Sequence, residues 1–247
     1  MNAHVKETAA TDEEELIALK KQFVLACRIL LMEGVSEMAF NVSVRLPGER
    51  MLTMPVTSPS LVTVDNLLVL PVARDASNWK AHPAIYLERP DVNAIVHVHP
   101  PYAIAFGVLG REFRPIHHYG APFLNRIAVD DRPGQTESPD RAAELAKTLG
   151  RSCLLLQQAH GTIAVGKDLV EAMLLTLFFE EACKIYAITG QMGGTPRELT
   201  PAQCEKIAGQ IMKPRSQKKA WDHYVDKLTW RRDAGAHIPS RDPGSNS

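Results

Sequence analysis

Three histidines carry the most specific chemistry in this sequence. Ala94-Ile-Val-His97-Val98-His99-Pro100 reads as a strand. Side chains along a strand alternate between faces, so His97 and His99 project from the same side. His160, in Gln157-Gln158-Ala159-His160-Gly161, arrives from the end of another strand. Two imidazoles on one strand face and a third from elsewhere match a catalytic metal site, in which three nitrogens hold the ion and open positions remain for a substrate. The competing reading is that each histidine caps or fills a local niche. Burying two imidazoles among Ile95, Val96 and Val98 is costly unless both find partners, and a shared metal supplies one.

The elements that must position these residues follow from pattern. Thr11 and Glu14 form a capping box for a helix running to about Gly34, with Leu16, Phe23, Cys27, Leu30 and Leu31 on one face. Asn41 to Leu46 alternates like a strand, and Met51 to Met54 follows a turn at Pro47-Gly48 as its hairpin partner. Leu67 to Val72 reads as a buried strand, Pro83 to Arg89 as a helix, Ala94 to His99 as the histidine strand, and Tyr102 to Leu109 as a helix. A loop-rich middle with Pro115, Pro122, Pro133, Gly134 and Pro139 precedes a helix over Asp140 to Leu149. Strands over Cys153 to Gln157 and Thr162 to Val165 come next. Asp168, with Glu171, caps a long apolar helix to Gly190. Thr200-Pro201 opens a helix ending near Pro214. The stretch Lys213 to Arg232 reads as a basic, solvated tail, with Trp221, Tyr224, Arg231 and Arg232 as residues that would cover a neighbouring subunit's site on the competing view.

Composition excludes several classes. The chain has 247 residues, 45% hydrophobic and 23% charged, with 28 basic and 28 acidic residues. The balanced charge argues against nucleic-acid binding, and no apolar run reaches the roughly 20 residues that span a bilayer. The first residues show no apolar signal core. Cys27, Cys153, Cys183 and Cys204 form no CxxC pair and read as reduced thiols, which places the protein in the cytoplasm. With no internal repeat, one α/β domain over 1–247 is expected, flexible at 1–10 and 235–247.

Two further groups have chemical interest. His117-His118-Tyr119 lies in the loop-rich middle, where a histidine titrating near neutrality could deliver a proton; the alternative is an ordinary surface loop. Arg45, Arg50 and Arg74 are candidates for gripping a substrate carboxylate by a bidentate pair, against the alternative of solvated surface arginines. Glu180 and Glu181 fit an exposed or helix-pairing role better than a metal role.

His82-Pro-Ala-Ile-Tyr86-Leu-Glu-Arg89-Pro90-Asp91 through His97-Val-His99-Pro100 resembles the core motif of the class II aldolase/adducin family. So does Gln158-Ala-His160-Gly161-Thr-Ile-Ala-Val-Gly166-Lys-Asp168, and Asn41-Val-Ser43-Val-Arg45 after the entry helix is also similar. The resemblance spans about 12–195. It implies a single-domain, three-layer α/β/α fold with a central mixed β-sheet, and a divalent metal (Mn, Zn, Co or Fe) on His97, His99 and His160. It also implies a homotetramer with sites where subunits meet, and a small anionic substrate. Asn41, Thr57 and Ser77 match the family's anion pocket. A histidine commonly stands in the loop that holds His117 and His118.

The chain departs from the family's sugar-phosphate aldolases, which carry Ser-Ser-Glu-Trp where Ala76-Ser77-Asn78-Trp79 stands here. An amide at Asn78 cannot act as the base. Their Thr-Gly phosphate turn is replaced by Pro55-Val56-Thr57-Ser58, without the glycine that lets backbone amides approach a phosphate. The resemblance therefore points to the family's decarboxylases of hydroxylated aromatic or pyridine (di)carboxylates, with Asn78 on the substrate side. An aldolase or epimerase acting on a hydroxy-keto acid or unphosphorylated sugar is the alternative. A scaffold of the adducin kind and a non-haem iron oxygenase are further competitors.

Overall fold

The computed structural model describes residues 2–36, 39–75, 77–78, 80–132 and 134–235. In chain order the elements are α1 (Asn2–Met32), β1 (Asn41–Leu46), β2 (Arg50–Thr53), β3 (Leu68–Pro71), α2 (Ala81–Glu88), β4 (Ala94–Val98) and α3 (Pro101–Val108). There follow β5 (Ile127–Asp130), α4 (Pro139–Leu149), β6 (Leu154–Gln157), β7 (Gly161–Gly166), α5 (Leu169–Met192), α6 (Pro201–Ile211) and α7 (Pro214–Gly235). The strands form one seven-stranded mixed sheet in the order β3-β2-β1-β4-β7-β6-β5, and only β5 and β6 pair in parallel. Helices cover both faces, giving the expected three layers.

Strand alternation sorts the core into two parts. Val42 and Val44 of β1, Ala94, Val96 and Val98 of β4, Leu154 and Leu156 of β6 and Ala164 of β7 share one cluster with buried residues of α1, α3 and α5. The neighbouring positions Ile95, Leu155, Ile163 and Val165 join a smaller cluster with α2 and α4. The first half of α5 is buried on every side from Ala172 through Phe179, as an apolar helix in the middle of a layer must be. Its start is fixed by Asp168, whose carboxylate accepts from the Glu171 N–H at 2.8 Å, while the Glu171 carboxylate accepts from the Lys167 N–H. The predicted capping box of α6 is also present, between Thr200 and Gln203.

Several expectations are corrected. The first helix begins at Asn2, so Thr11 lies inside it rather than at its start, and 2–10 belong to the helix. Strand β3 is not buried: it is the sheet edge, with Leu68 42% exposed. Helix α2 starts at Ala81 rather than Pro83, with His82 and Pro83 near its start as the sequence suggests. The loop-rich middle contains β5 and a 3-10 turn over His118–Phe123. The supposed tail is helix α7, whose Trp221, Tyr224, Val225 and Leu228 pack on this chain's own larger core. Lys227 pairs with Glu33, in the turn just after α1, at 2.6 Å. The side chains of Arg231 and Arg232, and residues 236–247, lie outside the described residues. No helix is long and apolar enough to cross a membrane among the described residues. The four cysteines are buried and free, and burial pushes the Cys27 thiol up to about 12 and that of Cys153 to about 11.

Candidate metal centre

β4 runs between β1 and β7, with His97 at the end of the sheet and His99 just beyond it. The alternation that buries Val96 and Val98 on one face turns His97 and His99 to the other. His160 reaches them from the tight β6–β7 turn, where Ala159 adopts φ +56°. A residue with a Cβ at positive φ is strained by roughly 1–2 kcal/mol. Gly161 lets this turn close on β4, because a Cβ there would lie 2.3 Å from the Val98 carbonyl oxygen and 3.0 Å from the His99 ring.

The three rings converge, with centroids 4.9 to 5.1 Å apart. One nitrogen from each lies within 4.8 Å of the others. The outer hydrogen bonds suit ligation. The Thr162 carbonyl lies 3.0 Å from His97 Nδ1 and the Ala39 carbonyl 2.7 Å from His99 Nδ1, so both rings donate from Nδ1 and keep Nε2 as a free lone pair. Burial, then the neighbouring His99, His160 and His82, hold the His97 pKa well below the usual imidazole value. Burial and His99 lower that of His160, against the opposing pull of a Gly134 backbone hydrogen bond and of Asp130. Neutral imidazoles are the form that binds a metal. The donor set fits a divalent ion, with imidazole suiting zinc, iron and other transition metals.

Beneath the triad lies a cavity of about 180 Å³, lined at one end by Asn41, Asn78, Lys80 and His82 and at the other by Gln135, Thr136, Gln157 and His160. A second recess, sharing His99 and His160 with this cavity, is lined by Ser36, Ala39 and Gly134. Among the described residues no carboxylate lines either space. The loop carrying Gln135 and Thr136 is tied down at its base: buried Asp130 takes ion pairs from Arg132 and Arg141, and Arg132 also pairs with Glu144.

Of the residues singled out from sequence, His97, His99, His160, Asn41 and Asn78 gather here. Arg45 does not grip a ligand: its guanidinium donates to the carbonyls of Val92, Tyr86 and Arg89 and stacks over the Tyr86 ring. It ties β1 to the α2–β4 connection. Arg50 similarly donates to the Pro47 carbonyl across the hairpin. Arg74 lines a separate depression between α2 and α4. Thr57 sits in a turn whose N–H donates to the Pro55 carbonyl, and Ser77 is buried beside Asn78; neither lines the cavity. His117 and His118 also stand off it. They pack with Tyr119, which stacks on Phe178 of α5 at 4.3 Å. Burial and His118 lower the His117 pKa, with Glu181 opposing. Glu180 has the helix-pairing role expected of it, its carboxylate accepting from the Tyr102 and Ala103 N–H groups at the start of α3. Trp79 and Ala76 lie outside the described residues.

Five polar lining residues, Lys80, His82, Gln135, Thr136 and Gln157, were not read as functional from sequence. His82 is 1% exposed, and its Nδ1 lies 2.7 Å from the Ser43 hydroxyl, itself 2.9 Å from the Tyr86 hydroxyl. Burial lowers its pKa to about 3, so it is neutral. Lys80 ends up at the cavity because α2 begins before Pro83. Gln157 gave one signal, a polar residue on the same strand face as Leu155 three positions before His160.

The fold and the triad together define an α/β/α protein with a three-imidazole centre at the end of a central strand. Residues 21–187 match the model of the Class II Aldolase and Adducin N-terminal domain, and the chain belongs to that family. It is 29% identical over 147 residues to the 4-hydroxy-3-prenylphenylpyruvate oxygenase/4-hydroxy-3-prenylbenzoate synthase of Streptomyces roseochromogenus subsp. oscitans, covering 59% of this chain and 52% of that protein. Over the same length it is 28% identical to the decarboxylase NovR of Streptomyces niveus, covering 59% and 53%. Human beta-adducin is 28% identical over 191 residues, 70% of this chain and 26% of adducin. The chain thus spans about half the length of the first two relatives and a quarter of the third. Among solved structures, an aldolase II superfamily protein from Pseudomonas syringae superposes with a TM-score of 0.76 at 19% identity, over 87% of this chain and 93% of that one. The L-fuculose 1-phosphate aldolase from Glaciozyma antarctica PI12 gives 0.75 at 20%, over 90% and 92%. These two likenesses concern the fold.

Proposed function

We propose that the protein is a metal-dependent decarboxylase of a hydroxylated aromatic or heteroaromatic (di)carboxylate, a carboxy-lyase of a catabolic pathway working in the cytoplasm as a homotetramer. The observation that carries this reading is the cavity wall beside the triad: amides, imidazoles and Lys80, with no carboxylate among the described residues. His97, His99 and His160 would hold the ion, which when bound supplies Lewis-acid stabilisation of charge developing on the substrate. Lys80 compensates the charge of an anionic substrate, and Asn41 and Asn78 orient it through neutral donors. A carboxylate at position 78 would instead repel a dianion. His117 and His118 are proposed as proton donors; standing off the cavity of their own chain, they would act across a subunit boundary. The relatives named as a decarboxylase and a benzoate synthase support the reading.

An aldolase or epimerase is the second reading, favoured by Lys80 and Asn41, which suit any anionic head group. The test is to load the purified protein in turn with manganese, zinc, cobalt or iron. It is then offered hydroxylated aromatic mono- and dicarboxylates, hydroxy-keto acids and aldoses, with carbon dioxide and aldehyde scored in parallel. Metal-dependent carbon dioxide that His99→Ala abolishes is the expected result. Aldehyde without carbon dioxide would return the chain to the aldolases.

A further inference from the structure

Gln157 closes the end of the cavity away from Asn41 and Lys80. On the α2–α4 face Asn41 of β1 stands opposite His97 of β4, His97 opposite Ile163 of β7, and Gln157 of β6 opposite Gly161 of β7. Three spacings of ~4.8 Å, roughly 14 Å in all, therefore separate the strands of Asn41 and Gln157, and the ligand-bearing strand runs between them. The Gln157 side chain is 2% exposed, lines the cavity, and has no hydrogen-bond partner for either Oε1 or Nε2 among the described residues. Native chains rarely leave a buried amide unmatched, because each unmade bond forfeits ~1–3 kcal/mol. Its neighbours in the sheet are Leu155, Ile163 and, opposite it on β5, Asp130, whose carboxylate is taken up by Arg132 and Arg141, and none of them hydrogen-bonds the Gln157 amide.

We propose that this end is an uncharged subsite in which Gln157 binds a hydroxyl substituent of the substrate. An amide offers a donor and an acceptor side by side, and a hydroxyl is the simplest group that uses both: Nε2 donates to its oxygen, and Oε1 accepts its proton. Gln135 and Thr136, the other side chains at this end, are also uncharged. Arg132 and Arg141 are paired with Asp130 and do not line the cavity, so a second carboxylate placed here would be desolvated without a counter-charge in the wall and would face Oε1 lone pair to lone pair. The anionic end of the substrate accordingly goes to Lys80, Asn41 and Asn78, and the hydroxyl end to Gln157. This assignment rests on the proposed function for the identity of the ring, and it ranks dihydroxylated monocarboxylates above dicarboxylates.

The test compares affinities of the zinc-loaded protein by calorimetry within matched probes. One series sets salicylate against dihydroxybenzoates and against hydroxyisophthalate; the other sets pyruvate against hydroxypyruvate. The wild type is expected to prefer one dihydroxybenzoate over salicylate by roughly tenfold, the worth of one or two net hydrogen bonds, and to bind hydroxyisophthalate no better than salicylate. Gln157→Met and Gln157→Leu should bring that ratio to about one, with zinc stoichiometry and thermal midpoint reporting that both variants are folded. A ratio that survives both substitutions, or a wild type with no preference in either series, overturns the subsite. A Gln157-dependent preference confined to hydroxypyruvate keeps the subsite and overturns the aromatic reading. The preference with no carbon dioxide released overturns the decarboxylase alone.

Discussion

The two faces of the sheet are built from alternate residues of the same strands and have opposite characters. On the side of α1, α3 and α5, strand β4 contributes Ala94, Val96 and Val98, all fully buried in one large apolar cluster. On the side of α2 and α4 it contributes Ile95 to a smaller cluster, then His97 and His99 to a polar cavity. The dry face closes completely because α5 fills it; the other face leaves room because α2 and α4 cover only part of it. Rigidity thus comes from one side of the peptide plane and chemistry from the other, and a residue shift of one in β4 would exchange them.

That division can be broken from either side. His97→Ala should have the largest effect, removing stoichiometric metal and more than about 100-fold of any metal-dependent activity, since removing even an outer-shell partner costs 10–100-fold; metal analysis and turnover check it. Phe179→Ala, on the dry face, should cost ~3–5 kcal/mol in denaturant unfolding while the folded variant retains its metal. Loss of metal there would show that the faces are not independent. His82, on the wet face, sharpens the contrast through pH. Its folded pKa of about 3 lies below the ordinary imidazole value of 6.5, so the unfolded chain takes up the proton first. Its contribution is full above pH 6.5 and is lost as pH falls toward 3, on the order of a few kcal/mol. Unfolding followed across that range should show a shallower acid loss in His82→Gln than in the wild type. The smallest effect is expected of Ala159→Gly, which relieves the left-handed backbone and stabilises by up to ~1 kcal/mol after the added chain entropy is subtracted. Thermal unfolding measures it, and destabilisation would mean that the turn is not strained.

The histidine strand, the hairpin at Pro47-Gly48 and the caps at Asp168 and Thr200 were legible because each is a local rule acting on neighbouring residues. Strand β3 was misjudged because Leu68 to Val72 is apolar without being central, and only the strand order reveals an edge. Strand β5 was hidden among prolines, since four residues carry too little periodicity to stand out. Helix α7 reads as basic along the chain, and its apolar positions gain meaning only from α1 beneath them. The same limit applies to the site. Arg45 looks like an anion grip until its three carbonyl partners are seen. Gln157 looks like a strand end until its amide is found without one. Ligand spacing within a strand is local information; what faces it across four strands is not.

Gly161 has a consequence for how this protein can vary. Any side chain there must displace the peptide of Val98, which lies between His97 and His99. Strand spacing and the spacing of the three imidazoles are therefore coupled at this position. Drift at Asn78 or Gln157 changes only the cavity wall. A side chain at position 161 would instead press on the backbone of β4 and on the His99 ring at once, and so disturb the triad itself.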